Sequence, residues 1–486
     1  MISIPSETKN FINGSFVSNG SAQLDVISPI DGQLISKVSM SGTSELDDAV
    51  QAARKALPEW SGKTLKERVQ VLYKYRELLE KHKDELTEIC QIENGKTWGE
   101  SKAEVEKSIE LTEFACSMPQ IITNEVQEVS RGVEVRLDRK PIGVVASITP
   151  FNFPNMVPHW TIPNALALGN CMILKPSEVV PVSAGRIAEL LKEAGLPDGV
   201  FNIVNGGKDT VEAICDHPEI KAVSFVGSTK VAKIVYKRAT SNLKRCVALG
   251  GAKNHLIVLP DANEEMTASN VIASMSGCAG QRCMAAAVMV GVDKVDHIVK
   301  RMVDEAKKIV AGDTLGSVIS KEAKDRIEKY IDEAEAAGAK VLVDGRKTIV
   351  KGKEGGFYVG ATIVDYVTPD MAIAKEEVFG PVISIIRTKN LDEAIAVENS
   401  SGYGNAAAVF TQSGGAAKEV MDRASAGMIG VNIGVPVPRE PFPFGGWNDS
   451  KFGVCDITGK SSLEFWTQNK KTSVKWSSEA KTNWMS

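Results

Sequence analysis

Histidine is scarce in this chain. Its five copies, at positions 82, 159, 217, 255 and 297, never pair at metal-ligand spacing. Cys278 and Cys283 lie close together, but no second Cys/His cluster accompanies them, so no metal is expected. Excess charge is missing too: a net charge of -4 provides no basic field for nucleic acid or an anionic membrane surface. Long apolar runs are absent. The most apolar window, 274–292, is broken by Gln281 and Arg282 and does not read as a membrane span. Met1-Ile2-Ser3-Ile4-Pro5 lacks a basic stretch followed by an apolar one, so no secretory leader is expected. The eight cysteines (90, 116, 171, 215, 246, 278, 283 and 455) are scattered, which argues for a reducing compartment over a disulfide framework. A cytoplasmic location, or an already processed organellar form, is expected. No internal repeat or low-complexity tract is found.

A chain of 486 residues exceeds one hydrophobic core and implies two or three domains. Phe11–Val17 reads as two short strands around the Asn13-Gly14 turn. From Thr64 to Cys90, Leu65, Val69, Leu72, Leu79 and Leu86 share one helical face, and Gly95 closes the region. Val133, Val135 and Leu137 alternate with charged residues, as in a half-buried strand. Buried strands are predicted at 143–148, 171–174, 201–204 and 222–226. Helices or helix pieces are predicted at 164–168, 181–194, 209–215 and 229–238. That alternation predicts a parallel sheet covered on both faces, with ligands at the carboxyl ends of its strands. No G-x-G-x-x-G follows any of these strands. Gly227-Ser228-Thr229, opening a helix, fits a phosphate seat and a plain N-cap equally. A second α/β region begins at Asn254, with a strand at 255–259 and Asp261 capping the next helix. Helices at 297–310 and 321–337 and strands at 341–343 and 382–386 follow. The tail 463–476 alternates loosely and is a candidate edge strand for assembly.

The chemistry centres on Gly280-Gln281-Arg282-Cys283-Met284-Ala285, a lone thiol in a small-residue loop directly after an arginine. Positive charge or helix-end amides favour the thiolate, the nucleophilic form. Taken alone, Cys283 fits an inert buried cysteine better. Four clusters change that reading: Thr149-Pro150-Phe151-Asn152-Phe153-Pro154, Leu174-Lys175-Pro176-Ser177-Glu178, Gly250-Gly251-Ala252-Lys253-Asn254 and Glu376-Glu377-Val378-Phe379-Gly380-Pro381. In this order and spacing they resemble the aldehyde dehydrogenase superfamily over nearly the whole chain. Pro150–Pro154, Ala252-Lys253-Asn254-His255, Gly280–Ala285, Gly430-Val431-Asn432 and the tail from Gly459-Lys460 to Trp476 resemble its CoA-acylating methylmalonate-semialdehyde dehydrogenase branch.

The resemblance implies an α/β fold of three parts. A Rossmann-type NAD-binding domain spans 1–125 and 141–250, and a catalytic domain spans 251–440. A small β oligomerisation element, 126–140 with 455–486, implies a homotetramer. It further implies that Cys283 attacks the aldehyde carbon and that Asn152, with the Cys283 amide, holds the oxyanion. Hydride then passes to the nicotinamide, leaving a thioester. Lys175 and Glu178 would bond the adenosine ribose, the acid favouring NAD over NADP. Ser228 would sit by the pyrophosphate, Glu377 and Phe379 by the nicotinamide half, and Thr149, Phe151 and Gly250 would line the cleft.

Hydrolytic members carry a glutamate 34 residues before the cysteine, where Leu249 stands here. Leucine cannot act as a general base, so the resemblance implies transfer of the acyl group to coenzyme A. Loss of carbon dioxide would give propionyl-CoA from methylmalonate semialdehyde, or acetyl-CoA from malonate semialdehyde. Valine, β-alanine and inositol breakdown all supply such aldehydes. Glu104, Glu376 or another acid serving as base is the competing reading. Arg282 is expected to lower the Cys283 pKa and to grip the substrate carboxylate. Lys107 stands where the branch has a second arginine; it keeps the charge without the bidentate fork. Ser276 replaces a usual phenylalanine, a change that simple repacking accommodates. The rival readings are a hydrolytic NAD(P)-dependent semialdehyde dehydrogenase, for instance on succinate semialdehyde, and an idle protein that keeps the fold.

Overall fold

The computed structural model describes Ile2, residues 4–18 and residues 22–476. Met1 and Ser3 of the N-terminal reading, and 477–486 of the tail, lie outside the described residues. Local chemistry sets most element boundaries. Asn13 and Gly14 take positive φ (50° and 76°), as a two-residue hairpin turn needs, and join strands Asn10–Ile12 and Ser15–Val17. Thr64 and Thr97 each accept the amide three residues on, while Glu67 and Glu100 reach back. These capping boxes start helices Leu65–Lys81 and Trp98–Cys116. The single apolar face expected from Thr64 to Cys90 is carried by two helices, Leu65–Lys81 and Lys83–Asn94, which meet at His82.

Eight strands form the first sheet, in the order Lys451–Phe452, Arg245–Leu249, Ile220–Val226, Val144–Ile148, Cys171–Lys175, Phe201–Ile203, Asn10–Ile12 and Ser15–Val17. The five from Arg245–Leu249 to Phe201–Ile203 are parallel. Helices Met156–Ala167, Val182–Glu193, Lys208–Asp216 and Thr229–Ser241 follow or connect them. Their carboxyl ends therefore share one edge, where ligands bind in such sheets.

The second sheet has seven strands, in the order Lys340–Val343, Thr362–Asp365, Val382–Thr388, Ala286–Val292, Asn254–Val258, Ala406–Phe410 and Met428–Val431. Alternate side chains of its central strands enter separate cores: Ile257, Val288 and Val290 one, Leu256, Val258 and Met289 the other. Asn263, not Asp261, caps helix Glu264–Ser276, accepting the Met266 amide at 2.9 Å. Asp261 instead accepts the Thr411 hydroxyl and the Gln412 amide, holding the end of a neighbouring strand. In a third sheet, the tail strand Thr467–Lys475 runs antiparallel to Val133–Pro141, which also pairs with Glu125–Ser130. No helix among the described residues is long and apolar enough to cross a membrane.

Candidate active site

A cleft of about 1300 Å³ opens at the carboxyl edge of the first sheet and extends to the second. Thr149, Phe151, Asn152, Lys175, Glu178, Ser228, Gly250, Arg282, Cys283, Glu377, Phe379 and Lys107 all line it. Four of the parallel strands deliver the nucleotide-side residues. Thr149 follows Ile148, Lys175 ends its own strand, Ser228 lies two residues beyond Val226, and Gly250 follows Leu249. Lys175 is buried and bonds Glu178 at 2.8 Å, leaving that carboxylate half-exposed in the cleft.

These residues fit a dinucleotide. Ser228 has extended backbone before helix Thr229–Ser241, and its hydroxyl makes no capping bond. The hydroxyl and first-turn amides therefore remain available to phosphate. The Gly250-Gly251 turn is backbone only for a steric reason. A Cβ at Gly250 would lie 2.7 Å from the Asp449 carbonyl oxygen, and one at Gly251 would lie 2.3 Å from Glu377 Oε2. The Phe151 and Phe379 rings meet edge-on at 5.8 Å on the far side.

The nucleophile loop is a strained turn held by five side chains. Helix Glu264–Ser276 ends, and Cys278, Ala279 and Gly280 take φ of 52°, 52° and 70°. A left-handed non-glycine residue costs about 1 kcal/mol or more, so the surroundings must enforce the turn. Glu100 Oε1 accepts the Cys278 amide at 2.6 Å. Gln281 accepts the Ile319 amide through its side chain. The Cys283 carbonyl accepts from both Asn254 and Asn405, at 2.8 and 2.9 Å. Asn152 donates to the Gln281 carbonyl at 2.9 Å. An amide group has two N–H donors, so one remains for an oxyanion at Cys283.

Burial pushes the half-buried Cys283 thiol up to about 12, and the neighbouring Glu377 charge adds to this. The Cys283 and Met284 amides and Arg282 pull the other way without prevailing. Arg282 thus lowers the thiol's pKa, as expected, but burial outweighs it. Its guanidinium is turned onto the end of helix Glu264–Ser276, donating through Nη2 to the Ala273 and Ser274 carbonyls at 2.9 Å each. Its Nε is buried without a partner. Burial also raises the Glu377 carboxyl to about 7, although it accepts the Ala252 amide at 3.0 Å and lies near Lys253.

Two competing general bases, Glu104 and Glu376, are committed elsewhere, whereas Glu377 lines the cleft beside Cys283. Glu104 is buried, paired with Lys96, and accepts the Asn155 and Met156 amides at 2.8 and 3.0 Å. It is thus committed to the start of helix Met156–Ala167. Glu376 accepts from the Tyr330 hydroxyl and is not among the cleft-lining residues. Leu249 is buried at its strand end. Ser276 merely bonds back to the Ile272 carbonyl. Lys107 is occupied as well, 2.6 Å from Glu440 and 3.1 Å from Glu110.

Sequence reasoning missed Glu100, Asn405 and Glu440. Glu100 was visible only as the third residue after a capping threonine. Nothing local tells that its other oxygen reaches a loop 178 residues on. Asn405 precedes a buried strand and has no motif of its own.

A thiol set beside a dinucleotide-shaped cleft between two α/β sheets, with an amide donor aimed at its loop, defines a cysteine-bearing oxidoreductase. The aldehyde dehydrogenase family model matches residues 16–472, and the chain belongs to that family. It is 44% identical over 478 residues to malonate-semialdehyde dehydrogenase 2 of Bacillus thuringiensis (strain Al Hakam), covering 96% of this chain and 98% of that one. A Sinorhizobium meliloti 1021 structure named for methylmalonate-semialdehyde dehydrogenase and complexed with NAD superposes with a TM-score of 0.96. It is 39% identical, with 99% of this chain and 100% of that chain covered. The methylmalonate-semialdehyde dehydrogenase structure of Oceanimonas doudoroffii gives the same TM-score and identity, with 98% and 99% covered. Family membership and the NAD-complexed neighbour support NAD as the cofactor.

Proposed function

We propose that the chain oxidises malonate semialdehyde or methylmalonate semialdehyde and transfers the decarboxylated acyl group to coenzyme A. The observation that carries the acyl transfer is Leu249 in the hydrolytic base's place, with Glu104 and Glu376 committed elsewhere. The names of the relatives support the substrate class.

Cys283, as thiolate, bonds the aldehyde carbon, and the carbonyl π electrons move to oxygen. The second N–H of Asn152 and the Cys283 amide receive that oxyanion. NAD, when bound through Lys175, Glu178, Ser228 and Glu377, supplies the hydride acceptor. As the carbon–oxygen double bond re-forms, a thioester remains on Cys283. The β-carboxylate leaves as carbon dioxide, its electron pair passes into the thioester enolate, and a proton from solvent completes the acyl group. Coenzyme A thiolate then displaces Cys283. Arg282 is the carboxylate-binding cation in this scheme, and Lys107 lines the same cleft.

At larger scale, residues 1–125 and 141–250 form the nucleotide-binding domain and 251–440 the catalytic domain. Residues 126–140 with the tail form the assembly element of a cytoplasmic homotetramer. The eight-stranded sheet, the seven-stranded sheet and the sheet that holds the tail strand support that division through most of their strands.

The test is NADH formation from each semialdehyde with and without coenzyme A, with the product identified by mass. Sustained turnover requiring coenzyme A, giving acetyl- or propionyl-CoA, is expected. Steady turnover to a free acid without it overturns the acyl-transfer step.

A further inference from the structure

Neither cation expected to seat a substrate carboxylate is free, and the two are occupied differently. Arg282 is bonded only to neutral carbonyls and keeps a buried, unpartnered Nε. Lys107, on helix Trp98–Cys116, is held by charge. Its ammonium lies 2.6 Å from the Glu440 carboxylate, which comes from the segment after strand Met428–Val431. The two side chains are 19% and 12% exposed, so the pair is largely shielded from water. Glu110 adds a second carboxylate at 3.1 Å, and Arg439 approaches Glu110 at 3.7 Å. The segment carrying Glu440 is fixed rather than loose: the Phe442 amide bonds the Arg439 carbonyl, and the Lys460 amide bonds the Pro441 carbonyl.

Lys107, Arg282, Arg439 and Glu440 line the same cleft as Cys283. A substrate carboxylate reaching Lys107 therefore meets a cation already neutralised in place. It must displace Glu440, leaving that charge beside it, and a like charge at this range is repulsive. Arg282 has no such competitor. On the reading that the substrate is an anionic semialdehyde, we infer that Glu440 is a positioning residue acting through Lys107. It withholds that ammonium and so sets the KM for anionic aldehydes, leaving Arg282 to seat the carboxylate. The chain thus carries its own carboxylate in one half of its carboxylate pocket.

The experiment uses full-length protein saturated with NAD and three small molecules. With coenzyme A present throughout, malonate semialdehyde is the anionic substrate, propanal the neutral one of equal chain length, and malonate a competitor of propanal. In Glu440→Gln the KM for malonate semialdehyde is expected to fall about fivefold, with kcat moving less than about twofold. Malonate should inhibit propanal oxidation correspondingly more tightly, and the KM for propanal should hold. Adding Lys107→Met to Glu440→Gln should cancel the gain, a result that a merely structural role for Glu440 does not produce. An unchanged or raised KM and inhibition constant in Glu440→Gln overturns the inference. So does a gain that survives in the double variant. If the unaltered protein oxidises propanal but not malonate semialdehyde, the substrate reading fails. Malonate inhibition then decides the role of Glu440 by itself.

Discussion

Cys283 combines a nucleophile's surroundings with a thiol held up near 12 by burial and by Glu377. Without cofactor, it should react with iodoacetamide at pH 7.5 more slowly than free cysteine, whose thiol titrates near about 8.5. The rate should keep rising through pH 10, read by mapping the labelled peptide. A negative neighbour disfavours the thiolate, so Glu377→Gln lowers the thiol's pKa and should speed labelling at pH 8 roughly three- to tenfold. No acceleration would mean that Glu377 does not set the thiol's acidity. Asn152→Ala removes the side-chain donor proposed for the oxyanion, and kcat should fall about 10²-fold or more. At this scale the sequence showed which residue types meet, because motif spacing carries that. It did not show the direction in which Arg282 points. A guanidinium between a helix end and a cleft chooses by hydrogen-bond geometry, and here two carbonyls hold it.

The elements that position the site were legible where periodicity or capping was clean. Helix Met156–Ala167 was seen only as the piece 164–168. Its residues 157–167 are buried on every side and it contains prolines, so it shows no amphipathic stripe. Asp261 and Asn263 are both good caps by composition; only the strand end at Thr411 decides between them. Glu100 links two elements, because one oxygen closes the capping box of helix Trp98–Cys116 and the other holds the Cys278 amide. Thr97→Ala should cost about 1 kcal/mol of stability and little activity. Glu100→Ala should cost about 2 kcal/mol, since it also leaves a strained loop's amide without its acceptor. It should slow turnover severalfold at temperatures where both variants are folded. Equal kcat in the two variants would show that the loop keeps its shape without Glu100.

Across the whole molecule, the alternation of strands and helices was readable as two α/β regions. The order of strands within each sheet was not, because pairing joins segments far apart in the chain. Strand Lys451–Phe452, for example, closes the edge of the first sheet from beyond the second. The third sheet joins the tail to Val133–Pro141 along nine residue pairs, with the neighbouring strand Glu125–Ser130 exposed along its length. A chain ending at Trp466 strips a partner from Val133–Pro141. It should sediment as a smaller species than the full chain; equal masses would remove the tail from assembly.

One contact bears on how this protein can change over generations. Gly280 sits at φ 70°, and a Cβ there would lie 2.0 Å from the Gly380 carbonyl oxygen. The thiol's loop and the loop bearing Glu377 and Phe379 thus abut, main chain against main chain. Any mutation at 280 adds atoms where none fit and asks an L-residue to hold a left-handed turn. A saturation library at codon 280 should return glycine alone among active clones. The same library at codon 276, where a serine hydroxyl only bonds back along its own helix, should return many residues. The permitted substitutions, mapped along this loop, would trace the seam between nucleophile and cofactor as a run of single-letter positions.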